Sequence, residues 1–114
     1  MLTAGDVIDR AREDILKDID ASNLRWDDPF MFRAVRDAER DVYRRRPDSR
    51  YESEIATDFN IPAIASVDDE LVISEHFITA LVDFVCWRAL LRDFEEASIK
   101  RAEYHQRMYI AGIK

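Results

Sequence analysis

The sequence predicts a mainly α-helical fold: a small bundle of about four helices, with a long irregular excursion or a short β-hairpin between helices two and three. Apolar residues recur every three or four positions in four stretches, and helix-capping signals stand before them. The 114 residues include only two glycines and three prolines, so few helix breakers interrupt those stretches. A chain of this length supports one hydrophobic core, and residues 1–114 are expected to form a single domain.

The first two helices have clear start signals. Helix one is expected over about residues 4–17, because Thr3 and Asp6 have the spacing of a capping box, with Asp in place of the usual Glu. Helix two opens at the Trp-Asp-Asp-Pro segment 26–29, where an aspartate N-cap is followed by a proline in the first turn. Pro47 is expected to end it one residue earlier.

The second half of the chain predicts an excursion and two more helices. Residues 48–73 carry no helical period and are expected to form a projecting loop, with a short antiparallel hairpin as one form of it. Helix three begins with Ser74 as its N-cap and is apolar on nearly every side, which is typical of a central helix. A second capping-box pattern at 93–96 predicts helix four at about 94–111, and Gly112 is a plausible C-terminal stop.

Composition excludes several functional classes. Seventeen basic residues against twenty-four acidic ones give a net charge of −7, which disfavours a dedicated nucleic-acid binder. The single cysteine, Cys86, rules out an internal disulfide framework and suits a reducing compartment. No stretch has the pattern of a targeting segment or the length and apolarity of a membrane span, so no membrane association is expected.

Catalytic and metal-binding patterns are not evident either. Cys86 lies on the most apolar helix and is interpreted as buried filler, while His76 and His105 are expected at the surface without zinc-ligand spacing. The acidic runs 18–20 and 68–70 lack the glycine and closing glutamate of a calcium loop. Two glycines cannot build a phosphate-binding loop. We therefore expect neither an enzyme nor a metal or cofactor.

Helix two carries a row of arginines in an otherwise acidic chain. Three interpretations stay open: a solvated face paired with acids of the same helix, a contact with another subunit, or a contact with DNA phosphates. The solvated face is favoured, since a helix-turn-helix would need a second helix close behind. The arginines concerned are Arg33, Arg36, Arg40 and Arg44.

The C-terminal segment has more large side chains than one intramolecular groove can bury. They lie around more than one face of helix four, so the segment from about residue 104 to residue 114 is expected to dock on a partner rather than to contribute to folding. Tyrosine and methionine suit such an interface. The five side chains are Tyr104, Met108, Tyr109, Ile110 and Ile113.

A set of short motifs follows in order along nearly the whole chain. They are Leu2-Thr-Ala-Gly-Asp-Val-Ile-Asp9, Arg25-Trp26-Asp27, Arg46-Pro47-Asp48, Ala80-Leu-Val-Asp-Phe-Val85, Arg88-Ala89 and Arg92-Asp93, with a short final helix ending near Gly112. Together they resemble the head–tail connector (adaptor) proteins of tailed bacteriophages.

The resemblance implies a non-enzymatic structural protein of the virion, assembled in the host cytoplasm and located at the head–tail junction. Such proteins form a ring, commonly twelve-fold, beneath the portal, through which DNA passes without specific binding. By this resemblance the docking helix 94–114 would contact the portal, and the loops would contact the next tail component. In such a ring the helix-two arginines are predicted to lie between subunits, which is the second of the three interpretations above. The alternatives are a small helical DNA-binding or regulatory protein that uses those arginines, and a cytosolic helical protein with an unknown small ligand.

Overall fold

Four α-helices dominate the chain in a computed structural model, which describes residues 2–20, 22–49, 61–93 and 95–114. The helices are α1 (Ala4–Arg10), α2 (Asp28–Arg45), α3 (Ile78–Arg92) and α4 (Glu96–Gly112). The turns Pro47–Ser49 and Glu75–Phe77 are short 3₁₀ helices. The predicted mainly helical fold is confirmed.

The start of α1 has the predicted capping box. The backbone N–H of Thr3 donates to the Asp6 carboxylate at 2.9 Å, and the N–H of Asp6 donates to the Thr3 hydroxyl at 3.3 Å. Beyond α1 the chain widens into a π-helix over Ala11–Leu16, which Lys17 ends in the left-handed region at φ 54°. The single helix expected over 4–17 is thus an α-helix followed by a π-helical segment.

Two further helix starts follow their sequence signals. The carboxylate of Asp27 accepts the N–H of Phe30 at 2.9 Å and caps α2 as predicted. The Ser74 hydroxyl accepts the N–H of His76 at 3.4 Å, and it caps the turn Glu75–Phe77 that leads into α3. His76 is exposed, as expected.

The predicted capping box at the start of α4 is wrong. The helix begins at Glu96, and the Asp93 carboxylate instead accepts the Ser98 hydroxyl at 3.1 Å and pairs with Arg25 at 2.7 Å. Gly112 is the last residue of α4 and does not have a positive φ, so it is not the left-handed stop that was expected. The carboxylate therefore serves tertiary packing instead of the helix terminus.

The hydrophobic core surrounds α3, in which every residue from 80 to 86 is buried. Side chains from all four helices join one cluster, and Trp26 is anchored in it by a 2.8 Å hydrogen bond from its indole N–H to the carbonyl of Ala89. Tyr109 and Ile113 of the C-terminal segment belong to the same cluster. The expectation that this segment takes no part in folding is therefore wrong.

Residues 61–73 form a strap that crosses the beginning of α1. The N–H groups of Ala4 and Gly5 donate to carbonyls of the strap at 2.9 and 2.8 Å, and Thr3 forms an isolated antiparallel bridge with Glu70. Within 61–73 no strand forms, and this part of the expected projecting loop lies against the helices. Residues 48 and 49 of the expected loop belong to the 3₁₀ turn Pro47–Ser49, and residues 50–60, with the first half of the expected hairpin, lie outside the described residues.

Candidate interaction surfaces

The five predicted docking side chains of α4 divide between two sides of the helix. Tyr104 and Met108 are exposed, at 50% and 43% of their surface, whereas Tyr109 and Ile113 are buried at 1% and 5%. Ile110 is half-buried against the core. Only the first two are therefore available to a partner, and the prediction is corrected for Tyr109 and Ile113.

The helical repeat explains this division. The inner face of α4 consists of buried residues spaced three or four apart: Ser98, Ala102, His105 and Tyr109. A second, exposed row, about a third of a turn round the helix, contains Tyr104, Met108 and the small Ala111, and we call it the outer face of α4. One side of this helix is thus fixed in the core while the second row is presented to solvent.

Tyr109 ties α4 to α2 through a polar contact. Its hydroxyl donates to the carboxylate of Asp41, which also accepts from Arg44 at 2.8 Å and Arg45 at 2.9 Å. Although partial burial acts to raise it, the pKa of Asp41 lies below its usual value because of the Tyr109 hydrogen bond and the two arginines. Burial and the Asp41 carboxylate raise the pKa of the Tyr109 phenol, so it remains a hydrogen-bond donor.

His105 and Asp83 form a second buried link, between α4 and α3. The distance between His105 Nδ1 and Asp83 Oδ1 is 2.9 Å, and both residues are more than nine-tenths buried. The expectation of a surface histidine is wrong, because the carboxylate on the neighbouring helix provides its polar partner. Cys86 is buried as expected, and desolvation raises the pKa of its thiol to about 12, which leaves it unreactive.

The four arginines predicted as one row on α2 have different surroundings. Arg36 Nε donates to the carbonyl of Ile61 at 3.2 Å, so it fastens the strap, and Arg44 pairs with Asp41. Arg33 and Arg40 are exposed, and neither has an ion-pair partner among the residues that the structure describes. Of the four arginines, Arg33 and Arg40 are therefore the two whose charge no described residue pairs.

Two arginines of α3, Arg88 and Arg92, extend this basic surface; in the sequence they stand out only as parts of short motifs and not as predicted site residues. Arg88 stacks over the rings of Phe84 and Trp87 at 5.1 Å each, and Arg92 stacks over Phe30 at 4.6 Å. Stacking on aromatic faces orients a guanidinium group without neutralising it. Their four-residue spacing along α3 was the available signal, but it could not reveal that α2 lies alongside.

Two clefts connect the arginines of α2 and α3 into one surface. A cleft of about 470 Å³ is lined by Arg40, Arg88 and the paired Arg44, and a smaller one of about 120 Å³ by Arg33, Arg88 and Phe30. Asp37 borders both clefts. We call Arg33, Arg40, Arg88 and Arg92 the basic strip. None of the four has an ion-pair partner among the described residues, and Arg92 joins the strip through its stacking on Phe30, which lines the smaller cleft.

Glu39 is a buried carboxylate that fixes the strap to α2. One of its oxygens accepts the N–H of Val72 at 2.6 Å and that of Ile73 at 3.3 Å. Burial raises the pKa of Glu39 to about 7, even though the two N–H groups act to lower it. The arrangement positions a segment of backbone and is not directed at an external ligand.

Comparisons with known proteins and further properties of the described residues add little about function. No protein-family model, curated protein or solved structure matches the chain. In the described ranges, no group of three or more His, Cys, Asp or Glu side chains could hold a metal ion. None of the helices in those ranges is both long and apolar enough to cross a bilayer.

Proposed function

We propose that this protein is a structural virion protein, a head–tail connector of a tailed bacteriophage that forms a ring between the portal and the tail. The order of short motifs along the chain supports this, since it resembles that family. The structural observation that carries the proposal is the outer face of α4, where Tyr104 and Met108 stay exposed on a helix whose other side is fixed in the core. That face is the surface proposed to dock on the portal.

The chemistry of the outer face suits a docking role. Tyrosine offers a large apolar ring with a polar tip, and methionine adapts its shape to an irregular partner. Tyr109 and His105 hold the helix in place from behind, so binding requires little ordering of the backbone. A partner can therefore gain affinity from a small contact area.

The charge balance is compatible with a channel for DNA. The chain has a net charge of −7, and phosphates that pass along a negatively charged wall are repelled rather than retained. In the proposed ring, commonly twelve-fold in this family, the protein would act at the head–tail junction of the virion without specific DNA binding. Loops on the other side would contact the next tail component.

The test mixes the protein with the portal protein encoded by the same genome. Size-exclusion chromatography with light scattering should show a complex, and electron microscopy should show a symmetric ring beneath the portal. The double variant Tyr104→Ala/Met108→Ala should remain folded and lose the complex. Gln106→Ala, an exposed change on another side of α4, is the matched control and should bind normally. No ring with portal, or a double variant that binds like the wild type, would reject the proposal.

Arg33 and Arg40, which have no ion-pair partner among the described residues, favour a second candidate, a small DNA-binding or regulatory protein. Asp37 between the two clefts opposes phosphate binding at the same place. Salt-dependent affinity for duplex DNA that disappears in Arg33→Ala/Arg40→Ala would support this candidate. Negligible binding at physiological salt would exclude it.

A further inference from the structure

The basic strip is a preorganised surface whose four guanidinium groups have no ion-pair partner among the described residues, although the exposed carboxylate of Asp37 borders both clefts. Arg88 and Arg92 are held by stacking on aromatic rings, and Arg33 and Arg40 project beside them around the two clefts. Arginine is enriched in protein interfaces, and a guanidinium that is already oriented loses less freedom when it binds a carboxylate. The basic strip is therefore suited to bind a partner surface that carries several carboxylates.

The same chain presents such carboxylates on α1 and its π-helical continuation. Asp9 and Glu13 are exposed, lack an ion-pair partner among the described residues, and line a cleft of about 350 Å³. Asp28 stands at its rim, and Ile19 is 69% exposed beside it. We call this surface the acidic cleft.

The bases near the acidic cleft do not cancel its charge. Arg12 lies within it but pairs with Asp28 at 3.1 Å, donates to the Trp26 carbonyl at 2.7 Å and stands 3.9 Å from Asp18. Arg10 and Lys17 are exposed nearby. Asp9 and Glu13 thus remain available to cations from outside.

We propose that the basic strip of one copy binds the acidic cleft of a second copy, in a head-to-tail contact between two different surfaces. The inference deepens the proposed ring and rests on it, because it names the residues through which neighbouring subunits touch. A contact between two different surfaces repeats from copy to copy and closes into a ring when the rotation allows. Ile19 supplies the apolar part of the contact, facing the half-buried rings of Phe30 and Trp87 on which strip arginines stack.

A second copy fits the strip better than nucleic acid does. Asp37 borders both clefts of the strip and would repel phosphates, whereas a protein surface can place a base such as Arg10 opposite it. A chain with a net charge of −7 also repels a polyanion at long range. Carboxylates spaced along a helix can reach separate arginines one by one.

The contact between two copies is expected to be weak in free solution and strong when the copies are bound side by side on the portal. Exposed ion pairs contribute little each and are screened by salt. When several copies are held side by side, each contact becomes intramolecular and the effective concentration rises. The free protein should therefore associate measurably only at low salt and high concentration.

A charge swap tests the contact directly. One variant carries Arg33→Glu/Arg40→Glu, and the other carries Asp9→Lys/Glu13→Lys. Sedimentation velocity at low salt should show self-association of the wild type and none of either variant alone. An equimolar mixture should associate again, because each altered surface then meets its opposite charge on the other variant.

Controls separate this contact from a general effect of net charge. Lys100→Glu/Arg107→Glu on α4 makes the same change in net charge as the first variant, and should leave self-association unchanged. Raising the salt from about 0.05 to about 0.5 M should weaken wild-type association at least tenfold. Circular dichroism and thermal melting verify that all variants fold.

The outcomes are decisive for this contact and separate from those for the connector role. Four outcomes would each overturn the contact. The wild type could stay monomeric at low salt, either variant alone could still associate, the mixture of variants could fail to associate, or the protein could bind duplex DNA more tightly than a second copy. A ring that forms on the portal with both variants would reject the contact and keep the connector role. If the mixed variants associate but the protein forms no complex with the portal, the contact between copies is kept and the connector role is rejected.

Discussion

The hydroxyl of Tyr109 on α4 donates to the carboxylate of Asp41 on α2, which joins two helices across 68 positions of sequence. The ring of Tyr109 also meets Phe84 of α3 edge to face, with centroids 5.2 Å apart. One side chain therefore connects three helices. The last helix is part of the folded core before it can serve any partner.

Removing the Tyr109 hydroxyl should destabilise the protein. Tyr109→Phe keeps the ring contact but deprives Asp41 of a donor, and a hydrogen bond to a charged group is worth about 1.5–3 kcal/mol. Tyr104→Phe on the outer face is the matched control and should change the free energy of unfolding by less than about 0.5 kcal/mol. Urea denaturation measures both. Equal losses in the two variants would contradict the structural role of the Tyr109–Asp41 bond.

His105 and Asp83 should be strongly coupled in a double-mutant cycle. His105→Leu leaves a buried carboxylate without its partner, and removing one member of a buried pair costs about 3–5 kcal/mol. Asp83→Leu/His105→Leu should lose much less than the sum of the single losses. The exposed pair Glu96–Lys100, at 3.8 Å, should show a coupling of at most about 0.5 kcal/mol. Additive losses at the buried pair would refute this.

Glu39 should make stability fall between mildly acidic and neutral pH. Its pKa rises from 4.5 to about 7 on folding, so the folded state binds the proton more tightly than the unfolded chain does. This contribution is complete below about pH 4.5 and is lost as the pH rises through about 7, an effect on the order of 3 kcal/mol.

The variant Glu39→Gln isolates that effect, because its side chain does not titrate. The free energy of unfolding of the variant, relative to the wild type, should rise between about pH 4.5 and pH 7 and then level off. Urea unfolding at a series of pH values measures the difference. A difference that stays constant with pH would show that folding does not shift the pKa of Glu39 and would contradict the prediction.

The two glycines should respond in opposite ways to alanine. A Cβ at Gly5 would lie 3.0 Å from the carbonyl oxygen of Val67 and 3.2 Å from its Cβ, so Gly5→Ala should cost about 1–3 kcal/mol by pushing the strap away. A Cβ at Gly112 would meet Ala80 at an ordinary 3.5 Å, and Gly112→Ala should be neutral or stabilise by up to about 1 kcal/mol. Thermal melting compares them, and similar effects of both would contradict the close approach of the strap.

Local signals in the sequence predicted the helices well. Thr3, Asp6 and Asp27 form their predicted caps, because a cap depends on residues three positions apart. Asp93 shows the limit of such signals. Its carboxylate is taken by Arg25, a residue from a distant part of the chain, and no local pattern discloses that competitor.

The surfaces were harder to predict, because burial of polar side chains depends on partners elsewhere. His105 and Tyr109 look like surface residues until Asp83 and Asp41 are brought next to them by packing. Likewise, Arg88 joins the arginines of α2 in one basic surface only because α3 packs beside α2. Helical periodicity identifies the faces of a helix but not which of them meets another helix.

The strap also has a consequence for the order in which the protein folds. α3 and α4 are neighbours along the chain and can pair early, whereas α1 is fastened by residues from the other half of the sequence. During synthesis on a ribosome, α1 therefore lacks its hydrogen bonds to the strap until residues 61–73 have been synthesised. Pulse-labelled amide exchange should show protection of α3 and α4 before that of the Ala4 and Gly5 amides, and the reverse order would exclude this sequence of events.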